Sequence, residues 1–359
     1  MVRRAFHLSG VIQAIDRLFE KYCGPVPGAS VMVIQAGQVL YKAAYGQANL
    51  EEGIPSTTYT NYRLASVTKQ FTATAIMLLA DRRQLDYDDP ITRYLTAFPP
   101  YGRQITVRHL LNHTSGLVAY ETLIPENAAT PLTDQDVLSL LQQQTQPCFR
   151  PRSEFCYSNS GYALLALIVE RISGVSFAAF LKQHIFEPLQ MDHTVAYQPG
   201  ISTVHHRAYG YTQRDDGFER TDQSLTSSVL GDGGIYSSVE DLYKWDQALD
   251  NARLVRAETL KLAHTPGVWI PDQDAGYGFG WFIGAYHGAP MIWHHGETIG
   301  FRTFLARFPD QRLTAIVLIN TSEGNPSEIA RGIADLCLFR TLAKDGMHSP
   351  HVSLKPSQG

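Results

Sequence analysis

Apolar and polar positions follow three rhythms along this chain. MVRRAFHLSGVIQAIDRLFEKYC spaces its apolar residues as one face of a helix, interrupted by Arg17, Glu20 and Lys21, and predicts an amphipathic helix. GASVMVIQAGQVLYKAAYGQANL holds two β-rich runs on either side of Ala36-Gly37-Gln38 and predicts a hairpin. RLASVTKQFTATAIMLLA, from Arg63 to Ala80, predicts a buried helix. From about Asp86 to His206 the pattern is mainly helical. Thr106 opens one helix and Gly116 stops it; Thr133 or Asp134 opens another; SNSGYALLALIVERISG runs from several N-cap candidates to Gly174. SFAAFLKQHIFEPL ends at Pro188, and SSVEDLYKWDQAL is a further capped helix. The rhythm then shortens. YGFGWFIGAYHG, PMIWHHG, GFRTFLARFPD and LTAIVLIN, separated by turns, read as an antiparallel meander. SEIARGIADLCLFRTLA is a last helix before a polar tail.

Strands at both ends and helices in the middle make an α+β pattern, an α/β sandwich. One antiparallel sheet is built from both chain ends and flanked by helices, with a mainly helical domain inserted after the first hairpin. The expected bounds are 1–85 and 207–343 for the sheet domain, 86–206 for the inserted domain, and 344–359 for a flexible tail. A crevice between the two is the natural place for a site.

Composition narrows the function classes. With 359 residues, 44% hydrophobic and 18% charged, the chain is globular and long enough for a sizeable core. A net charge of −4 offers no basic field for nucleic acid. The N-terminal segment lacks the continuous apolar stretch of a signal peptide, and ALLALIVE is too short to span a bilayer. The expectation is a cytoplasmic protein without a membrane partner. Cys23, Cys148, Cys156 and Cys337 form no CxxC and are expected as free thiols.

One residue resists the buried-helix reading. Lys69 opens the apolar run three residues after Ser66, and Ala73, Ile76 and Ala80 continue its face. Burial lowers a lysine's pKa, because the charged form loses hydration. A neutral amine beside a hydroxyl is a base beside a nucleophile. A serine N-cap with a lysine that reaches solvent would produce the same letters, although no other SxxK occurs in the chain. Tyr157-Ser158-Asn159 precedes a helix, where a phenol can shuttle a proton and an amide can hold a carbonyl; taken alone, helix capping by Ser158 or Asn159 and packing of Tyr157 account for it better. His294-His295-Gly296 ends one strand, and its glycine permits close backbone approach to a ligand. The two histidines point to opposite faces and no HExxH is present, so no metal or other cofactor is expected; His205-His206 fails likewise. GDGGIYSS lacks the spacing and lysine of a P-loop, and no serine sits in GxSxG.

Taken in order, SxxK, YxN and HxG resemble the serine hydrolases related to class C β-lactamases and penicillin-binding D-amino-acid peptidases, including carboxylesterases and D-aminopeptidases. LLNHTSGL, YSNSGYALLALIVERISGVSF, IFEPLQMDHT, GDGGIYSSVEDLYKW and HHGETIGF are similar to that family too, and the resemblance runs from Val11 to Leu342. It implies a sheet domain with an inserted helical domain and a site in the cleft. Ser66 would be the acylated nucleophile, with Lys69 and Tyr157 sharing the proton work. Asn159 would orient the substrate amide and Lys69. His294 would replace the lysine of the KTG motif, His295 and Gly296 would complete the strand, and the N–H groups of Ser66 and Glu297 would form the oxyanion hole. A histidine, with a reference pKa of about 6.5, is a poorer permanent cation for a substrate carboxylate than lysine. Arg302 is an alternative cation. The expected activity is therefore esterase-like hydrolysis of small or medium acyl substrates, with weak β-lactam turnover. The alternatives are a β-lactamase or D-amino-acid peptidase or amidase, a catalytically silent ligand-binding member, and a metal-dependent hydrolase.

Overall fold

The computed structural model describes residues 2–339, with side chains from residue 10 onward. The tail expected at 344–359 and the end of the last helix lie outside the described residues. At the centre is an eight-stranded sheet. The start of the chain supplies β1 (Ala29–Gln35) and β2 (Gln38–Tyr45). The C-terminal part supplies β3 (Val268–Trp269), β4 (Ala275–Tyr277), β5 (Phe282–Tyr286), β6 (Ala289–Thr298), β7 (Phe301–Phe308) and β8 (Leu313–Ile319). The spatial order is β3-β4-β5-β6-β7-β8-β1-β2. The meander is thus contiguous, and the hairpin docks on it through β1, with Ala29 opposite Ile319 and Gln35 opposite Leu313. Ala36 and Gly37 turn the hairpin with φ of 52° and 80°, the left-handed pair that matches strand twist.

The helices used below are α1 (Val2–Arg17), α2 (Lys69–Asp81), α3 (Val107–Leu111), α4 (Asp134–Gln142), α5 (Asn159–Ser173), α6 (Phe177–Leu181), α7 (Val239–Asp250) and α8 (Pro326–Ala334). Side chains alternate across the sheet with period two. Met32, Ile34, Leu305 and Ile316 enter a core shared with α2, α5 and α7. Val31, Val33, Phe304 and Val317 enter a second core under α1 and α8, with Ile15, Ile329 and Ile333. The result is a helix–sheet–helix sandwich.

Between 86 and 206 the chain is less helical than its pattern predicts. α3 ends at Leu111 rather than at Gly116, because His113 takes a left-handed φ of 59°. The stretch that follows spends its backbone bonds on a folded loop: Cys148 N–H donates to Gly116 O, Arg152 N–H to Thr114 O and Cys156 N–H to His113 O. α6 continues through a π-turn, Lys182–Phe186, to Leu189, so Pro188 lies inside the last turn instead of ending the helix. Two small β elements had no sequence signal: a sheet of Tyr62–Arg63, Ile235–Ser237 and Val195–Ala196, and a hairpin of Tyr211–Arg214 with Gly217–Arg220. The first matters for the site, because it fixes the backbone just before Ser66. The four cysteines are unpaired, as expected.

α5 is buried from Ser160 through Val169. Its start is set by Ser158, whose hydroxyl accepts the Gly161 N–H at 3.1 Å. Ser158→Ala is expected to cost about 1 kcal/mol, the usual worth of such a cap, read as a lower urea midpoint at unchanged slope.

Candidate active site

Ser66 lies on a 3-10 turn, Ala65–Thr68, that leads into α2; it is not on the α-helix itself and caps nothing. In that tighter turn residues i and i+3 eclipse. Lys69 Nζ consequently stands 2.9 Å from Ser66 Oγ. The chain enters the turn through Ala65 at φ 48°, an uncommon conformation for a residue with a Cβ.

Lys69 is fully buried. Besides Ser66, its amine meets Asn159 Oδ1 at 2.8 Å and the Asp232 carbonyl at 2.8 Å. The Asn159 amide is oriented by its other end, where Nδ2 donates to Glu121 Oε1 at 2.6 Å. Burial pushes Lys69 down to about 8, and the charges of Asp232 and Glu121 offset part of that loss. The rings of Tyr157 and Tyr162 flank Nζ at 4.9 and 5.4 Å.

Tyr157 comes from the residue before the α5 cap. Its hydroxyl is buried and makes no well-formed hydrogen bond. Burial holds the phenol well above its ordinary pKa, while Ser66, close but poorly aligned, pulls it down a little. His113 packs on the Tyr157 ring at 4.3 Å, and its Nδ1 accepts the Ser158 N–H at 3.0 Å.

The opposite wall is β6. Gly296 passes so close to the Ser66 turn that a Cβ there would lie 2.1 Å from Leu64 O and 2.1 Å from Thr303 Oγ1. β5 pairs with β6 only as far as Trp293, whereas β7 pairs through Thr298. One edge of His294–Thr298 is therefore without a strand partner, and Glu297 and Thr298 border the cleft with Ser66, Glu121 and Asn159. The expectation for His294 needs correction. It is fully buried, its Nδ1 lies 2.6 Å from His295 O and its Nε2 lies 3.0 Å from the Tyr277 hydroxyl. A carbonyl only accepts, so Nδ1 carries the proton and Nε2 accepts from Tyr277. Burial keeps the ring well below the ordinary histidine pKa. His294 is a neutral support behind the cleft, with no free group for a substrate. His295 is exposed and stacks on the Phe282 ring at 5.2 Å. Arg302 is occupied as well: it donates to Thr298 O and Phe301 O and pairs with Glu297 at 2.9 Å.

A family model described as Beta-lactamase matches residues 15–338. The chain belongs to the Beta-lactamase family. A penicillin-binding protein of Bacillus subtilis (strain 168) is 34% identical over 316 residues, covering 84% of this chain and 70% of its own. Among solved structures, a penicillin-binding protein from Bacillus halodurans is 29% identical with a TM-score of 0.79, covering 92% of this chain and 99% of that one. A D-amino acid amidase from Ochrobactrum anthropi SV3 is 25% identical with a TM-score of 0.79, covering 94% and 99%. This Beta-lactamase family member is a serine hydrolase of the β-lactamase and penicillin-binding-protein fold.

Sequence reasoning missed four residues of the site. Asp232 and Tyr120 are buried beside Lys69, joined by a 3.0 Å hydrogen bond from the phenol to Oδ2. Glu121 lines the cleft, and Tyr277 holds His294. GDGGIYSSVEDLYKW lacks the phosphate-loop pattern and carries the family resemblance as a phrase, and neither reading gives Asp232 a role. A larger groove between Ser176 and His205 shares no lining residue with the Ser66 cleft. Gly296→Ala in this Beta-lactamase family member must push β6 off the Ser66 turn. The expected result is a loss of roughly 1–3 kcal/mol in stability, as for other overpacked positions, and a slower covalent labelling of the protein by a fluorophosphonate. Unchanged labelling and stability would show that the strand has room to shift.

Proposed function

We propose that Ser66 is the nucleophile of a two-step acyl transfer to water, acting on small or medium esters and amides whose acyl part is uncharged or carries an amine. The arrangement around Lys69 carries this reading. Asn159 Oδ1 and the Asp232 carbonyl are acceptors only, so they take two N–H groups. A neutral amine then has its lone pair left for the Ser66 hydroxyl, at 2.9 Å. Lys69 takes the Ser66 proton as Oγ bonds to the acyl carbon. Tyr157, kept protonated by burial and free of any well-formed hydrogen bond, can pass its proton to the leaving group and recover one from Lys69. The Ser66 and Glu297 N–H groups serve the oxyanion. Water resolves the acyl-enzyme by the reverse proton path.

Substrate preference follows from charge. The exposed unpaired charge at the cleft mouth is Glu121, since Glu297 is paired with Arg302, while the cations Arg63 and Lys69 are buried. Arg63 spends itself on the Gly233 and Ser227 carbonyls. No cation is presented to a substrate carboxylate, which disfavours penicillins and cephalosporins. The Glu121 carboxylate favours an ammonium, and the likeness to a D-amino acid amidase supports amides of amino acids as a second substrate group beside esters.

Initial rates on a nitrophenyl butyrate, an amino-acid amide and a chromogenic cephalosporin test the proposal in wild type and Ser66→Ala. Ester or amide turnover that disappears in the variant, with cephalosporin slowest, is expected. Activity retained by Ser66→Ala would mean the wrong nucleophile, and fast cephalosporin turnover would mean the wrong substrate class. The pH profile is a separate check. Lys69 sits below the usual lysine value and works as the free base. kcat/KM should therefore rise about tenfold per pH unit on the acid side and level off above a midpoint near 8.

A further inference from the structure

Asp232 is a carboxylic acid almost without solvent contact, and the proton transfer described above does not use its side chain. It sits in a short turn, Leu230–Gly233, that is fixed on every side. Asp134 accepts the Leu230 and Gly231 N–H groups at 2.9 and 3.0 Å. Thr72 donates to Gly231 O at 2.7 Å. Gly231 is pressed on α5 so closely that a Cβ would meet Tyr162 O at 2.3 Å. The turn therefore has one position, and that position holds the Asp232 carbonyl on Lys69 and its carboxyl against Tyr120. Burying a carboxylate is costly unless an opposite charge or several donors answer it.

We propose that Asp232 is the counter-ion of the proton transfer, a positioning residue whose carboxylate stabilises the Lys69 ammonium formed when Ser66 gives up its proton. In the step, the Ser66 O–H bond breaks, its electron pair forms the bond to the acyl carbon, and the proton moves to the Lys69 nitrogen. Asp232 stays ionised throughout and exchanges no proton. Among the described residues its carboxylate makes no ion pair with Lys69, which meets the Asp232 backbone carbonyl, so the charge acts across the short buried gap between them. The proposal rests on the Ser66–Lys69 reading.

The surrounding charges leave this role to Asp232. Burial pushes Lys69 down and Asp232 up, and each offsets part of the other's loss. Arg63, from the strand before the Ser66 turn, and Asp134, from α4, also act near it, with opposite signs. Glu121 is exposed, so water screens it. His113 and His294, which face Lys69 from the other side, are held neutral by burial and add no charge.

The test is the pH dependence of ester hydrolysis by Asp232→Asn, an isosteric change that can still accept from Tyr120. Without the negative charge, Lys69 loses its proton more easily. The acid limb should move down by about one pH unit or more, the shift that one nearby opposite charge produces. The plateau kcat should fall at least about tenfold, because a weaker base receives the proton, while KM stays nearly constant. The wild-type advantage is then larger at pH 9 than at pH 6. Parallel profiles with one midpoint would overturn the proposal, since a merely structural Asp232 would lower the rate equally at every pH. Glu121→Gln should move the limb less. A second measurement covers a variant that does not fold. In the wild-type protein labelled with carbon-13 at the lysine ε position, the Lys69 signal should titrate in two steps, with Asp232 near 6 before Lys69 itself near 8. A single step would overturn the proposal. Fluorophosphonate labelling separates the two levels: labelling lost in Ser66→Ala but normal in the Asp232 variant, with an unmoved limb, sinks only the role of Asp232.

Discussion

An amine with no access to water is the constraint on which this structure turns. Lys69 must meet polar atoms inside the protein, and it meets them on three separate pieces of chain: the Ser66 turn, the first residue of α5 and the Leu230–Gly233 turn. None of these could drift without leaving a buried donor or acceptor unsatisfied, at a cost of about 1–3 kcal/mol. The requirement that stabilises the centre of the fold is also the one that aims the Lys69 amine at the Ser66 hydroxyl. Stability and chemistry share the same three contacts.

A second constraint closes the site from the sheet side. Strand β6 lies against the backbone of Leu64, and the Thr303 hydroxyl donates to the same carbonyl at 2.7 Å. A glycine is the residue that fits between them. The open edge beyond Trp293 leaves the Glu297 N–H next to the cleft instead of inside a ladder. The meander thus contributes backbone groups to the site, and the helices contribute side chains.

Much of this was legible in the letters, and the exceptions have physical causes. The hairpin at Ala36-Gly37, the meander and the caps at Thr106, Thr133 and Ser158 were readable, because turn and cap chemistry is local. Ser66, Lys69, Tyr157 and Asn159 were found through their spacing and order, and the fold brings them together. The helix opened by Thr106 was expected to reach Gly116 and stops at Leu111, since the long-range backbone bonds of the loop that follows leave no periodic trace. His294 was expected to face the substrate, because alternation along a strand tells which face a residue takes but not whether an aromatic layer covers it. Asp232 was invisible for a different reason. Its meaning depends on Lys69, 163 residues away in sequence, and no local pattern records that pairing.

The close passage of β6 over Leu64 has a consequence for how this enzyme can be changed. The strand and the Ser66 turn are locked together at backbone level, so a laboratory selection for new substrates gains little by varying either. Variation is better tolerated across the cleft, in the exposed stretch that follows Glu121 up to Pro131, which lines no part of the Ser66 cleft beyond Glu121 itself. The molecule separates a rigid reaction centre from an adjustable entrance, and libraries confined to the entrance should retain catalytic competence in far more of their members.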